Sequence, residues 1–171
     1  MKNSKILHIT TAHKNDDVRI FQKEVCSLKK EGFNVSLIAQ GEKDEIINGI
    51  NIYAVPFSKN RFDRFFFTNL KILYRIIKIN PKICHFHDPD FILGALFLNL
   101  LGKKIIYDVH EDVPKQIMSK YWIPKFLRKL IAISFNVLEK FISRFFFNSI
   151  ITDCLIQKFK KKRVRFISDN R

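Results

Sequence analysis

Apolar and polar positions follow two rhythms along this chain. Short apolar runs rich in β-branched residues recur at Lys5–Thr10, Phe33–Ala39, Ile50–Val55, Ile83–His87, Ile105–Val109, Ser149–Thr152 and Arg163–Ile167. Each reads as a buried strand. Between them the spacing changes to that of helices. Val18, Phe21, Val25 and Leu28 step by three, four and three, with Asp16 or Asp17 as the N-cap and Gly32 as the stop. A second helix covers Arg64–Ile79 and ends at Pro81. A third starts at Asp88–Pro89 and runs to Leu101, before Gly102. Pro114 and Pro124 break the next stretch, a long amphipathic helix spans about Pro124 to Phe147, and a short one covers about Asp153 to Lys160. The segment QGEKDEIING reads as a loop.

Strand and helix alternate almost throughout. That pattern predicts an α/β fold: a Rossmann-like, three-layer domain with a mostly parallel sheet of about seven strands. The expected order is 3-2-1-4-5-6, with the seventh strand at the edge. Strands one and four then flank the point where the order reverses, beside which ligands bind in such sheets. The loops after strands one, four and five carry His13, Asp16, Asp17, His87, Asp88, His110, Glu111 and Asp112. Their convergence marks a candidate site. Capping of a following helix is the plainer role for Glu111 and Asp112.

At 171 residues the chain is one domain with a sizeable core. Its net charge of +15 calls for an anionic partner, whether a phosphate-bearing ligand, a membrane surface or nucleic acid. Cys26, Cys84 and Cys154 are odd in number and lie within or beside predicted elements, so they read as reduced thiols. The first apolar run is too short for a signal peptide. Lys129, Lys140 and Arg144 interrupt the best candidate for a membrane span. The chain is expected in the cytoplasm. Phe62, Phe65, Phe66 and Phe67 are set among Arg61, Arg64 and Lys71. Phe126, Leu127 and Ile131 are set among Lys125, Arg128 and Lys129. Such stretches suit the interface of an anionic membrane, or equally a solvated face over a core stripe.

Several chemistries lack their motif. The loop TTAHKNDD has no glycine, so it is not a dinucleotide fingerprint, and no Walker A pattern occurs. There is no nucleophile elbow, and no recognised nucleic-acid motif. His85 and His87 share one face of a strand near Asp88 and Asp90, but they complete no known metal pattern, so no metal is expected. His110 is the better catalytic candidate, with Asp108 and Glu111 placed to set its tautomer or raise its pKa.

Four stretches together resemble a known family. HKNDDVRIFQKEVCSLKKEGFNVSLIA is similar to the first βαβ unit of bacterial family 4 glycosyltransferases, where a loop H-x-x-D-D-x-R-I precedes the first helix. HFHDPD and YDVHED resemble that family's signatures at strands four and five, and SRFFFNSIIT resembles the segment closing its N-terminal domain. The resemblance implies one half of a GT-B fold, the acceptor-side domain. The donor-binding domain, with its Glu-x7-Glu motif, is expected to be absent from these 171 residues.

By the same resemblance, His110 is the catalytic histidine that approaches the donor's sugar and phosphate. His13, Asp17 and Arg19 belong to the loop where donor pyrophosphate and acceptor meet, and His87, Asp88 and Glu111 to the acceptor side. The implied reaction is retaining transfer from a nucleotide sugar, with no metal and no cofactor. The acceptor would be lipid-linked or a glycan, in the synthesis of capsule, O-antigen or exopolysaccharide at the inner face of the plasma membrane. Such a half is expected to be inactive alone. The alternatives are a non-catalytic acceptor or membrane-anchoring subunit paired with a separate donor-domain chain, and a basic Rossmann-like binding module.

Overall fold

The computed structural model describes residues 4–152 and 164–166. The expected helix at 153–160, with Cys154, lies outside them. One eight-stranded sheet forms the middle layer. Its strands are β1 (Ile6–Lys14), β2 (Val35–Gln40), β3 (Glu45–Ile47), β4 (Ile50–Val55), β5 (Ile83–Phe86), β6 (Lys104–Val109), β7 (Ser149–Thr152) and β8 (Val164–Phe166). The spatial order is β3-β4-β2-β1-β5-β6-β7-β8. All neighbours are parallel except β3 and β4. The seven expected strands therefore appear in the expected order. The eighth, β3, falls in the polar stretch whose composition predicts a loop. Asn48 and Gly49 take φ of 52° and 69° and close a two-residue hairpin in which Ile47 pairs with Ile50. Asn-Gly suits that turn because both central residues need positive φ.

The helices α1 (Cys26–Lys30), α2 (Arg61–Asp63), α3 (Asn69–Ile79), α4 (Ile92–Leu100), α5 (Val113–Ser119) and α6 (Lys125–Phe146) cover the sheet. Side chains alternate across a strand, so each strand feeds two cores. Leu7, Ile9, Cys84, Phe86, Ile105, Tyr107 and Val109 pack on one face with Ile72 and Ile76 of α3, Ala95 and Leu98 of α4, and Ile142 of α6. Ile6, Val35, Leu37 and Ile52 pack on the other face with Ile20, Phe21 and Val25. Beside them on that second face stand four buried polar residues: His8 of β1, His85 of β5, His87 just past β5, and Asp108 of β6.

The segment Val18–Val25, leading into α1, is wound with i→i+5 hydrogen bonds. Gln22 N donates to Asp17 O, and Cys26 N to Phe21 O. The wide turn changes which residues face inward. Val18, placed on the apolar stripe by its spacing, is 58% exposed, while Ile20 is fully buried. Widened turns of this kind concentrate at functional sites. Here the winding places Arg19 and Glu24, five residues apart, over the same polar part of the sheet.

Two further elements depart from expectation. Residues 113–119 form α5, started by Pro114 and capped by Asp112, whose carboxylate accepts from Lys115 N. Asp112 therefore takes the capping role. Asp88 precedes the 3-10 turn Pro89–Phe91 but makes no side-chain cap bond. Its carboxylate is used elsewhere, as described next.

Candidate functional site

The expected site residues gather where β1, β5 and β6 end, at the point where the strand order reverses. Asp88 ties two of these ends together. Its Oδ2 accepts from the Thr10 hydroxyl at 2.6 Å and from Thr11 N at 2.7 Å, and its Oδ1 faces His13 Nε2 at 3.7 Å. His13 Nδ1 pairs in turn with Asp17 Oδ2 at 3.0 Å. Asp17 caps the wide helical segment by accepting from Arg19 N and Ile20 N. Burial pushes the Asp17 carboxyl up, but the Ile20 N–H, His13, the Arg19 N–H and the Arg19 guanidinium pull harder, and its pKa is lowered.

Asp108, the penultimate residue of β6, is the hub. Its Oδ2 accepts from His87 Nδ1 at 3.0 Å and from Arg19 Nη1 at 3.1 Å, and its Oδ1 pairs with His110 Nε2 at 2.5 Å. Burial opposes its charge, yet bonds from His110 and His87 and their proximity outweigh that, so it stays ionised well below the usual carboxylate range. An ionised carboxylate only accepts, so His87 Nδ1 and His110 Nε2 carry the protons. The His110 side chain is 32% exposed. It can therefore meet a ligand while Asp108 holds its ring.

His87 sits lower. Its side chain is fully buried, and its Nε2 lies 3.1 Å from His8 Nδ1. It positions Asp108 from beneath and does not line the open surface. Glu111 is exposed beside His110. His13, Asp17, Arg19, His87, Asp88 and His110 are thus joined by one polar network, with Glu111 at its margin.

Two members of that network went unread in the sequence. His8 stands mid-strand in β1 and pairs in register with His85 of β5, ring centroids 4.4 Å apart. Glu24 reaches over from the wide helical segment to His8 Nδ1 at 3.6 Å and His87 Nε2 at 3.8 Å. Burial, followed by the charge of Asp108, pushes the Glu24 carboxyl up to about 8, so it is largely protonated at neutral pH. Burial, followed by the neighbouring histidines, holds His8 well below 6.5. Burial also lowers His85, to about 3, and His87 despite its bond to Asp108. All three imidazoles are neutral.

Asp90, in contrast, faces Thr11 and Arg64. The chemistry available at the rim is hydrogen-bond donation and positive charge, from Arg19 and His110 braced by one buried carboxylate. That combination suits an anionic or developing-anion group.

The fold has relatives among known structures. A sucrose-phosphate synthase from Thermosynechococcus elongatus superposes with a TM-score of 0.65 at 13% identity, covering 96% of this chain and 48% of that one. A second, shorter structure of that enzyme gives 0.61 at 11% identity, covering 95% of this chain and 87% of that one. The likeness shows the fold, one Rossmann-like half of a GT-B arrangement, and this chain spans about half the length of the first relative. No curated protein matches. The model of Glycosyltransferase Family 4 matches residues 18–166, from the wide helical segment to the last described strand, and the chain belongs to that family.

Proposed function

We propose that this chain is the acceptor-binding half of a retaining, nucleotide-sugar-dependent glycosyltransferase. The observation that carries the reading is the Asp108 hub, which holds the exposed His110 and Arg19 together at the switch point of the sheet. In this reading His110 meets the sugar and its leaving phosphate. Arg19 adds positive charge beside it, and His13, Asp17 and Glu111 border the acceptor. His87 and Asp88 hold the strand ends that carry these groups. The donor-side domain supplies the other wall of the cleft, from the same longer chain or from a partner.

Transfer requires both substrates in one closed cleft, because only then is the transition state bound better than the substrates. Residues 1–171 alone should transfer no sugar from any nucleotide sugar. Adding a donor-side domain of the family should produce transfer. Turnover by residues 1–171 alone would defeat the reading.

The acceptor in this proposal is lipid-linked, for a cell-surface polysaccharide, and the domain lies against an anionic membrane. Phe62, Phe66 and Phe67 are exposed near Lys71, and Phe126, Leu130, Phe141 and Phe145 are exposed along α6 near Lys125, Lys129, Lys140 and Arg144. Leu127 is half-buried and belongs less to this surface. Both stretches lie on the sheet face opposite the His8 cluster. No helix among the described residues is long and apolar enough to cross a membrane. Each basic residue near an anionic surface contributes about 1 kcal/mol. Co-sedimentation should therefore be stronger with anionic than neutral vesicles and fade toward 1 M salt, where the Debye length is about 3 Å. Equal binding to both vesicle types would refute the docking.

A further inference from the structure

We propose that His8, Glu24, His85 and His87 form a binding site for a divalent transition metal of the zinc class, beneath the rim that carries His110. This does not rest on the transfer reading, which calls for no metal.

The geometry carries the proposal. His8 Nδ1, His87 Nε2 and Glu24 Oε2 form a triangle with edges of 3.1, 3.6 and 3.8 Å. An ion above the centre of that triangle, with the three atoms as one face of a tetrahedron, would lie about 2.1 Å from each, close to the length of a zinc bond to imidazole nitrogen or carboxylate oxygen. The fourth group, His85, has a ligand atom within 4.8 Å of the others. A triangle of this size in three side chains from three separate elements is what a tetrahedral ion needs on one face.

The surroundings fit as well. His87 donates its Nδ1–H to Asp108, so its Nε2 accepts from His8 Nδ1–H in the metal-free chain, and ion binding would move the His8 proton to Nε2. Metal-binding histidines nearly always anchor their other nitrogen on a carboxylate in this way. His85 Nε2 and Glu24 Oε2 are buried polar atoms with no hydrogen-bond partner. Such orphans are uncommon in a folded protein and call for an explanation. His8 is fully buried. Ligation takes neutral imidazoles and an ionised carboxylate, so binding releases to solvent any proton that blocks a ligand atom. Glu24 is also 26% exposed, so it marks the way in. Asp88 and Asp90, nearer in sequence to His87, are committed to Thr10, Thr11 and Arg64.

The test is calorimetric titration of the metal-stripped chain with zinc chloride, and of cobalt(II) by its visible absorption. One zinc per chain is expected, with the intense cobalt bands of four-coordination. Glu24→Gln keeps the size of a partly exposed side chain and should weaken zinc binding at least tenfold. Asp108→Asn should weaken it by about 10–100-fold, the usual effect of removing a carboxylate that orients a ligand. His13→Ala should leave it unchanged. Substoichiometric binding by the wild-type chain would overturn the site. So would an unchanged affinity in Glu24→Gln.

Discussion

His87 Nδ1 donates to Asp108 Oδ2 across 3.0 Å, between the end of β5 and the end of β6. This bond fixes the imidazole as the Nδ1–H tautomer, because an ionised carboxylate cannot donate. Nitrogen-15 chemical shifts of the free chain should show that tautomer at neutral pH. Asp108→Ala should shift His87 toward a mixture. An Nε2–H tautomer in the wild-type chain would contradict the arrangement of the whole hub.

Asp17 caps the wide helical segment through Arg19 N and Ile20 N. Asp17→Ala should cost about 1 kcal/mol, as for other N-caps. Because the folded carboxyl is lowered below its usual 3.8, the contribution is present above that pH and disappears as pH falls through the lower folded value. Denaturant melts of wild type and Asp17→Ala should therefore differ at pH 7 and converge in strong acid. A constant difference across that range would rule out the carboxylate as its source.

Gly94 lies in α4 against the ring of the buried Phe91. A Cβ at Gly94 would stand 2.8 Å from Phe91 Cε2. Alanine in a helix interior normally gains about 1 kcal/mol over glycine. Overpacking a closed core costs about 1–3 kcal/mol, and Phe91 is fully buried. Gly94→Ala should lower the melting temperature; a rise would mean that the ring yields easily.

Tyr107 donates its hydroxyl to Glu139 Oε1 at 2.9 Å, in the core between β6 and α6. Burial, then Glu139, raises the Tyr107 pKa, so the phenol keeps its proton. Tyr107→Phe takes this bond from a fully buried carboxyl group and should destabilise the chain by about 1–3 kcal/mol. An unchanged denaturation midpoint would show that the bond adds no net stability.

The strands were legible because each is an apolar run bounded by turn residues, and the parallel order followed from the strand–helix alternation. His110 and Asp108 were legible because polar groups end the run IIYDVHED. His8 was not, since one histidine inside an apolar strand carries no sign of its neighbour. Only the registered pairing of β1 with β5 brings it over His85. Glu24 reads as part of a solvated helix face, and the i→i+5 winding that turns it inward has no signature in a 3.6-residue period. The same winding put Ile20 inside in place of Val18. The hairpin at Asn48–Gly49 did have a signal, but it lay within a polar stretch taken whole as loop. Asp88 shows a different limit: Asp-Pro predicted the helix start, while the side chain serves Thr10 and Thr11.

Transfer at this rim depends on His110, the exposed donor held by Asp108 at the end of β6. The most direct test is the turnover of the chain joined to a donor-side domain, with and without His110→Ala. The variant takes one partner from the buried Asp108 and should lose some stability, yet stay folded because His87 and Arg19 still hold that carboxylate. Its turnover should fall by about 10²-fold or more, the effect of losing one electrostatic or proton-transferring group. A folded His110→Ala enzyme with full activity would contradict the assignment of this rim as the site of transfer.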